Sequence, residues 1–140
     1  MSIKENKELI EKLLEKFWND HNIAAADELV ARDLVNHDPA APTVTGLEGL
    51  KAYAGMLFTA FPDFHVAIDD MVGEGDKVAK AWTLSGTHEG DFMGIPPAGK
   101  SISMSGVTIY RIANGKIAEL TWSYNMLGLM QQLGAIPTPS

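Results

Sequence analysis

The sequence predicts an α+β domain in which three N-terminal helices pack on a curved, mostly antiparallel sheet. Apolar residues recur at helical spacing over residues 1–61, the period falls to two from Phe64 onward, and Pro62 stops the last helix between the two regimes. Helices and strands segregated along the chain favour a helical layer on one sheet face, and that order excludes a parallel βαβ fold. With 140 residues, the chain reads as one domain over 1–140, mainly helical over 1–61, sheet over 62–125, and a C-terminal segment over 126–140.

Each element has its own signal. Ser2 and Glu5 form a capping box, and Ile3, Leu9, Ile10, Leu13, Leu14, Phe17 and Trp18 then mark a helix to about Asn19. The breaker Asn19-Asp20-His21-Asn22 precedes a shorter helix carrying Leu29 and Val30, expected to end near Arg32. Leu34 to Pro39 reads as a short strand or extended turn, because Pro39 keeps Asp38 out of the helical region. Thr45 with Glu48 suggests a second capping box, opening a helix whose apolar face runs from Leu47 to Phe61. Then Phe64, Val66 and Ile68 alternate with polar or small residues. Gly73-Glu74-Gly75-Asp76 and Asn114-Gly115 are hairpin turns, placing strands at 77–87, 101–112 and 116–124. Residues 126–133 form a short apolar helix.

Composition narrows the function. A net charge of −7, with basic residues scattered rather than clustered, makes nucleic acid and anionic membrane poor partners. The absence of cysteine removes disulfides, thiolate metal sites and cysteine nucleophiles. The charged N-terminus lacks an apolar signal segment and no run suits a membrane span, so a cytoplasmic protein is expected. No G-x-S-x-G elbow, Walker loop or G-x-G-x-x-G opening a helix occurs. His21, His37, His65 and His88 lack metal-ligand spacing, so neither a metal nor another cofactor is expected. The adjacent His37-Asp38 pair stands out: on an extended segment the two side chains point to opposite faces, which can turn one inward.

Phe61-Pro62-Asp63, Glu74-Gly75-Asp76 and the long run Gly86-Thr87-His88-Glu89-Gly90-Asp91-Phe92-Met93-Gly94-Ile95-Pro96-Pro97-Ala98-Gly99-Lys100 resemble the SnoaL-like polyketide cyclase family, also called ester cyclase-like. Ile109-Tyr110-Arg111-Ile112, Gly115-Lys116-Ile117, Leu127 to Gly134 and Asn36-His37-Asp38-Pro39 are similar to further stretches of that family, so the resemblance covers nearly the whole chain. It implies the nuclear transport factor 2-like cone fold and homo-oligomers, often a homodimer. In the best-known members, an aspartate just before the C-terminal Leu-Gly segment is the general acid and base for aldol closure of a polyketide ester. Asn125 stands at that position here. An amide can hold an oxyanion but cannot take a proton from carbon.

The resulting expectation is a protein that binds a small hydrophobic carbonyl compound in an apolar pocket and works on it by acid–base chemistry. Asn125 would hold the oxyanion, and His88, His37 or Glu119 would move the proton. A non-catalytic carrier of a small hydrophobic molecule is the alternative. Each candidate has a plainer reading: Asn125 as a helix cap, His88 and His37 as loop residues, Glu119 as an exposed strand carboxylate. On the last strand, Glu119, Thr121, Ser123 and Asn125 share one face, and Leu120, Trp122 and Tyr124 share the other. If Asn125 keeps the family orientation, Thr121 and Ser123 line the pocket and Trp122 and Tyr124 pack elsewhere. Trp18, Phe58, Trp82 and Tyr110 suit either the pocket wall or the core. The loop at 89–99, apolar at Phe92, Met93 and Ile95, fits a cavity lid or a dimer contact.

Overall fold

The computed structural model describes residues 2–136. Helix α1 spans Ile3–Leu13 and continues as a π-helical stretch over Leu14–Asn19. The capping box is present: Ser2 Oγ accepts from the Glu5 N–H, and Glu5 Oε1 accepts from the Ser2 N–H, both at 3.1 Å. The wider winding at the end of the helix buries Phe17 and Trp18 together, though they are sequence neighbours. The breaker then acts through its side chains. Asn19 makes two hydrogen bonds with the Val66 backbone, at 2.8 and 2.9 Å, and His21, at positive φ, stacks on Phe58 with ring centroids 4.1 Å apart.

A 3-10 turn, Ile23–Ala25, leads into α2, Ala26–Leu29, and β1 follows directly over Val30–His37. The second helix is therefore three residues shorter than expected, since Val30, Ala31 and Arg32 belong to a strand. Val30 is fully buried, and the β-branched side chain fits a pleated, packed surface better than a helix end. Helix α3, Gly46–Ala60, starts at Thr45 without a side-chain cap, so the second capping box does not form. Strands β2 (His65–Glu74), β3 (Lys77–Thr87), β4 (Ser101–Ala113) and β5 (Lys116–Tyr124) follow, then α4 (Met126–Gln132). At the β4–β5 turn, Asn114 and Gly115 both take positive φ, as a two-residue hairpin of this kind requires.

The five strands form one mixed sheet in the order β1-β5-β4-β3-β2. All neighbours are antiparallel except β1 and β5, which run parallel, with Asn36 opposite Leu120 and His37 opposite Thr121. Bulges between Ile68 and Asp70 and between Arg111 and Ile112 help the sheet to curve. The core lies between the concave face and the helices. Even-numbered residues of β3 and β4 point inward, and α1, α3 and α4 cover them. Among the described residues no helix is long and apolar enough to cross a membrane.

Candidate functional site

The inward face does not close completely. A cavity of about 80 Å³ remains between the sheet and the helices, enough for several water molecules. Trp18 closes one side; Leu50, Tyr53 and Leu57 reach it from α3 and Phe61 from just past its end, and Met126 and Leu129 cover it from α4. From the sheet come Val66, Trp82, Leu84, Ile102, Met104, Trp122 and Tyr124, and Phe92 is contributed by the long loop. These walls are apolar. Polar groups reach them from Asn36 and Asp38 of the β1 end, Tyr53 of α3, Lys80 of β3, and Trp122 and Tyr124 of β5.

Gly106 allows the two aromatic walls to meet. It lies opposite both Trp82 and Tyr124, and a Cβ there would stand 2.5 Å from a Trp82 ring carbon and 2.7 Å from the Ser123 carbonyl oxygen. Gly90 lets the long loop approach α3, since a Cβ would come within 2.3 Å of the Thr59 carbonyl. The N–H groups of Glu89 and Gly90 both donate to the Ala60 carbonyl, which anchors the loop as Phe92 enters the wall. Phe92 is buried and Met93 is exposed, so the loop covers the cavity through one aromatic ring.

Asp38 is 8% exposed, in phase with buried Leu34 of the preceding strand. Pro39 ends the extended segment after it, and the Ala40 N–H donates to Asp38 Oδ1 at 3.0 Å. The Tyr124 hydroxyl lies 2.9 Å from Oδ1 and 2.7 Å from Oδ2, donating its proton to the carboxylate. Beside it, the Trp122 indole N–H donates to Asn36 Oδ1 at 2.7 Å. Burial pushes the Tyr124 phenol well above its ordinary range, reinforced by Tyr53 and by the Asp38 charge. Burial, and then the Asp38 charge, also raises Tyr53. Both phenols are therefore proton donors at neutral pH, facing a carboxylate that can accept.

The structure brings few of the expected site residues to this cavity. Asn125 is exposed and caps α4, its side-chain oxygen accepting from the Gly128 N–H at 2.9 Å. Strand β5 presents Trp122 and Tyr124 inward and Thr121 and Ser123 outward, so the family-orientation reading of this strand is corrected; its phase is set by buried Leu120. His37 and Glu119 also lie on the outer side. His37 Nε2 is 2.6 Å from Glu119 Oε2, and Arg111 Nε donates to Oε1 at 3.0 Å. Those hydrogen bonds, Arg111 first, hold the Glu119 carboxyl below its usual range, the opposite of what a neutral-pH base needs.

His88 is fully buried against Phe61, with neither ring nitrogen hydrogen-bonded, and it is not part of the cavity wall. Trp18 and Trp82 do line the cavity. Phe58 is turned onto His21, and Tyr110 is buried in the core outside the wall. Tyr53, Lys80 and Tyr124 lie outside the expected site residues, and Asp38 stood out only beside His37, as a pair of which one member could turn inward; a sequence signal also marks Lys80. It stands in phase with Val78, Trp82 and Leu84, a charge at a core position. No three His, Asp or Glu side chains among the described residues converge as metal ligands would.

A curved mixed sheet wrapped around a cavity and covered by N-terminal helices and a short C-terminal helix defines the nuclear transport factor 2-like class. The family model described as SnoaL-like polyketide cyclase matches residues 8–133. The chain belongs to the SnoaL-like polyketide cyclase family.

Among solved structures it is similar to TsrD from Streptomyces laurentii, with 29% identity, a TM-score of 0.87, and 97% of this chain and 99% of that one covered. It is also similar to a proposed polyketide cyclase from Acidithiobacillus ferrooxidans, with 33% identity, a TM-score of 0.84 and coverage of 96% and 99%. A third likeness is AclR from Streptomyces galilaeus, described as a proposed hydroxylase, with 26% identity, a TM-score of 0.83 and coverage of 99% and 87%. Comparison with curated proteins gives no match.

Proposed function

We propose that the protein is an acid–base catalyst for a small, largely apolar carbonyl compound, performing an aldol-type ring closure with Asp38 as the base. The observation that carries this reading is the Asp38 carboxylate, buried at the edge of an apolar cavity and held by the Tyr124 hydroxyl at 2.7 and 2.9 Å. Family membership and similarity to proposed polyketide cyclases support the reaction class.

Asp38 takes a proton from the carbon next to a carbonyl, and the electron pair moves to the carbonyl oxygen as an enolate. Tyr53, which lines the same cavity and is kept protonated by burial and the neighbouring charge, donates to that oxygen in this reading. The enolate carbon attacks a second carbonyl of the same molecule, and the new alkoxide recovers the proton from Asp38. The apolar walls exclude water and orient the chain ends. This assignment moves the base from the β5–α4 junction, where Asn125 stands, to the end of β1.

The test does not need the natural substrate. In heavy water, the protein should catalyse deuterium uptake at the α-carbon of a small aryl ketone such as acetophenone, followed by NMR. Asp38→Asn should lower that rate by roughly 10²-fold or more, within the range for removal of a positioned base. Asn125→Ala and His37→Ala should keep it within about threefold, since neither residue lines the cavity. Exchange that survives Asp38→Asn would overturn the assignment. Saturable ketone binding without exchange would favour a carrier.

A further inference from the structure

Lys80 is a charged-type side chain with an unusual position. It comes from the middle of β3, is 3% exposed, and reaches the cavity wall among Trp82, Leu84 and other apolar side chains. Its amine lies 5.2 Å from the centre of the Tyr110 ring. Among the described residues it takes part in none of the ion pairs, although Asp38 lines the same cavity, and it makes no side-chain hydrogen bond. A buried ammonium without a carboxylate partner is costly, and methionine would fill the same space without that cost. The groups around this cavity that could share a proton with it are Asp38 of the β1 end, Tyr53 of α3 and Tyr124 of β5.

We propose that Lys80 is a nucleophilic amine that condenses with the carbonyl group of a cavity-bound ketone or aldehyde to give a protonated Schiff base. The proposal rests on the reading of the cavity as a carbonyl-binding site. The amine lone pair adds to the carbonyl carbon and forms a carbon–nitrogen bond. Proton transfer gives the carbinolamine, its hydroxyl leaves as water after protonation, and the iminium remains; no oxidation or reduction occurs. Tyr53 and Tyr124, both held protonated, are the donors available to the departing oxygen, and Asp38 the acceptor of the α-proton. An iminium is a stronger electron sink than a ketone, so the step deepens the acid–base reading.

Desolvation supports the chemistry. Burial lowers the Lys80 amine to about 8 from an ordinary 10.5. At pH 7 this leaves a free-base fraction roughly 300-fold larger than that of a surface lysine.

The test uses the whole chain and two probes. With pentane-2,4-dione, peptide mapping should find the adduct on Lys80 ahead of the exposed lysines, forming with an apparent pKa near 8. With acetophenone carrying oxygen-18, the protein should speed loss of the label to water, because iminium formation expels that oxygen. Lys80→Arg keeps the charge and Lys80→Met keeps the bulk, and both should abolish the Lys80 adduct and reduce label loss to background. An unmodified Lys80, or label loss unchanged in Lys80→Arg, overturns the proposal. If Asp38-dependent deuterium exchange persists in that case, the carbonyl site stands without covalent chemistry. If deuterium exchange is also absent, both readings fall.

Discussion

Lys80 sets a cost in stability against the chemistry proposed for it. Its folded-state amine titrates near 8, below the unfolded value, so the unfolded chain binds more protons between about pH 8 and 10.5. Stability of the native protein should therefore rise across that window, with the full penalty present below it. We expect Lys80→Met to be more stable by on the order of 2 kcal/mol at pH 7, and the gain to vanish by about pH 10.5, read by urea denaturation at several pH values. An unchanged or weaker variant at pH 7 would show that the ammonium is solvated. At Tyr124, removal of the hydroxyl leaves the Asp38 carboxylate without its strongest partner. Tyr124→Phe should cost about 1–3 kcal/mol in stability and lower α-proton exchange, measured with the assay above. Legibility at this scale was mixed. That one of His37 and Asp38 turns inward follows from strand geometry, but which one does depends on the phase of β1, and that is fixed only by its pairing with β5.

Among the elements, those with strong local signals were read closely from sequence. Strands β3 and β5 have the expected bounds, and each starts directly after a tight turn that fixes its first residue. The errors came where a tertiary partner decides. Val30 to Arg32 has a helical pattern and becomes strand because β5 offers a parallel edge at Ile117. Alternation along β5 defines its two faces without saying which turns inward, and only packing of Leu120 and Trp122 settles it. Gly106 is the element-scale key to the cavity. A Cβ within 2.7 Å of the Ser123 carbonyl cannot be absorbed by side-chain rotation alone. Gly106→Ala should cost roughly 1–3 kcal/mol through overpacking and also lower exchange activity by displacing Trp82 or Tyr124. Thermal unfolding together with the exchange rate checks this; a stable, fully active variant would mean that the two aromatics move freely.

For the whole molecule, the concave face of the sheet is covered and the convex face is not. Val107 and Ile109 are 43% and 44% exposed, paired across the sheet with Ala81 and Ala79 on one side and with Ser123 and Thr121 on the other. These two exposed branched side chains, set among Ala79, Ala81, Thr121 and Ser123, mark the face across which we propose that the homodimer implied by the family resemblance forms. Ile109→Lys should yield a monomer by light scattering with an unchanged circular dichroism spectrum, and a monomeric parent protein at micromolar concentration would refute the expectation. That most of the helix precedes most of the sheet was legible; that β1 joins the sheet from between α2 and α3, through a parallel seam with β5, was not, because no local signal announces a pairing between distant segments. That seam has a consequence for biosynthesis. Asp38 and Tyr124 are 86 residues apart along the chain, as are Asn36 and Trp122. A nascent polypeptide can wind its helices and zip its hairpins while still tethered to the ribosome. The Asp38–Tyr124 contact waits until the final strand has emerged from the exit tunnel, so a product of premature termination carries the carboxylate with no partner and no chamber around it.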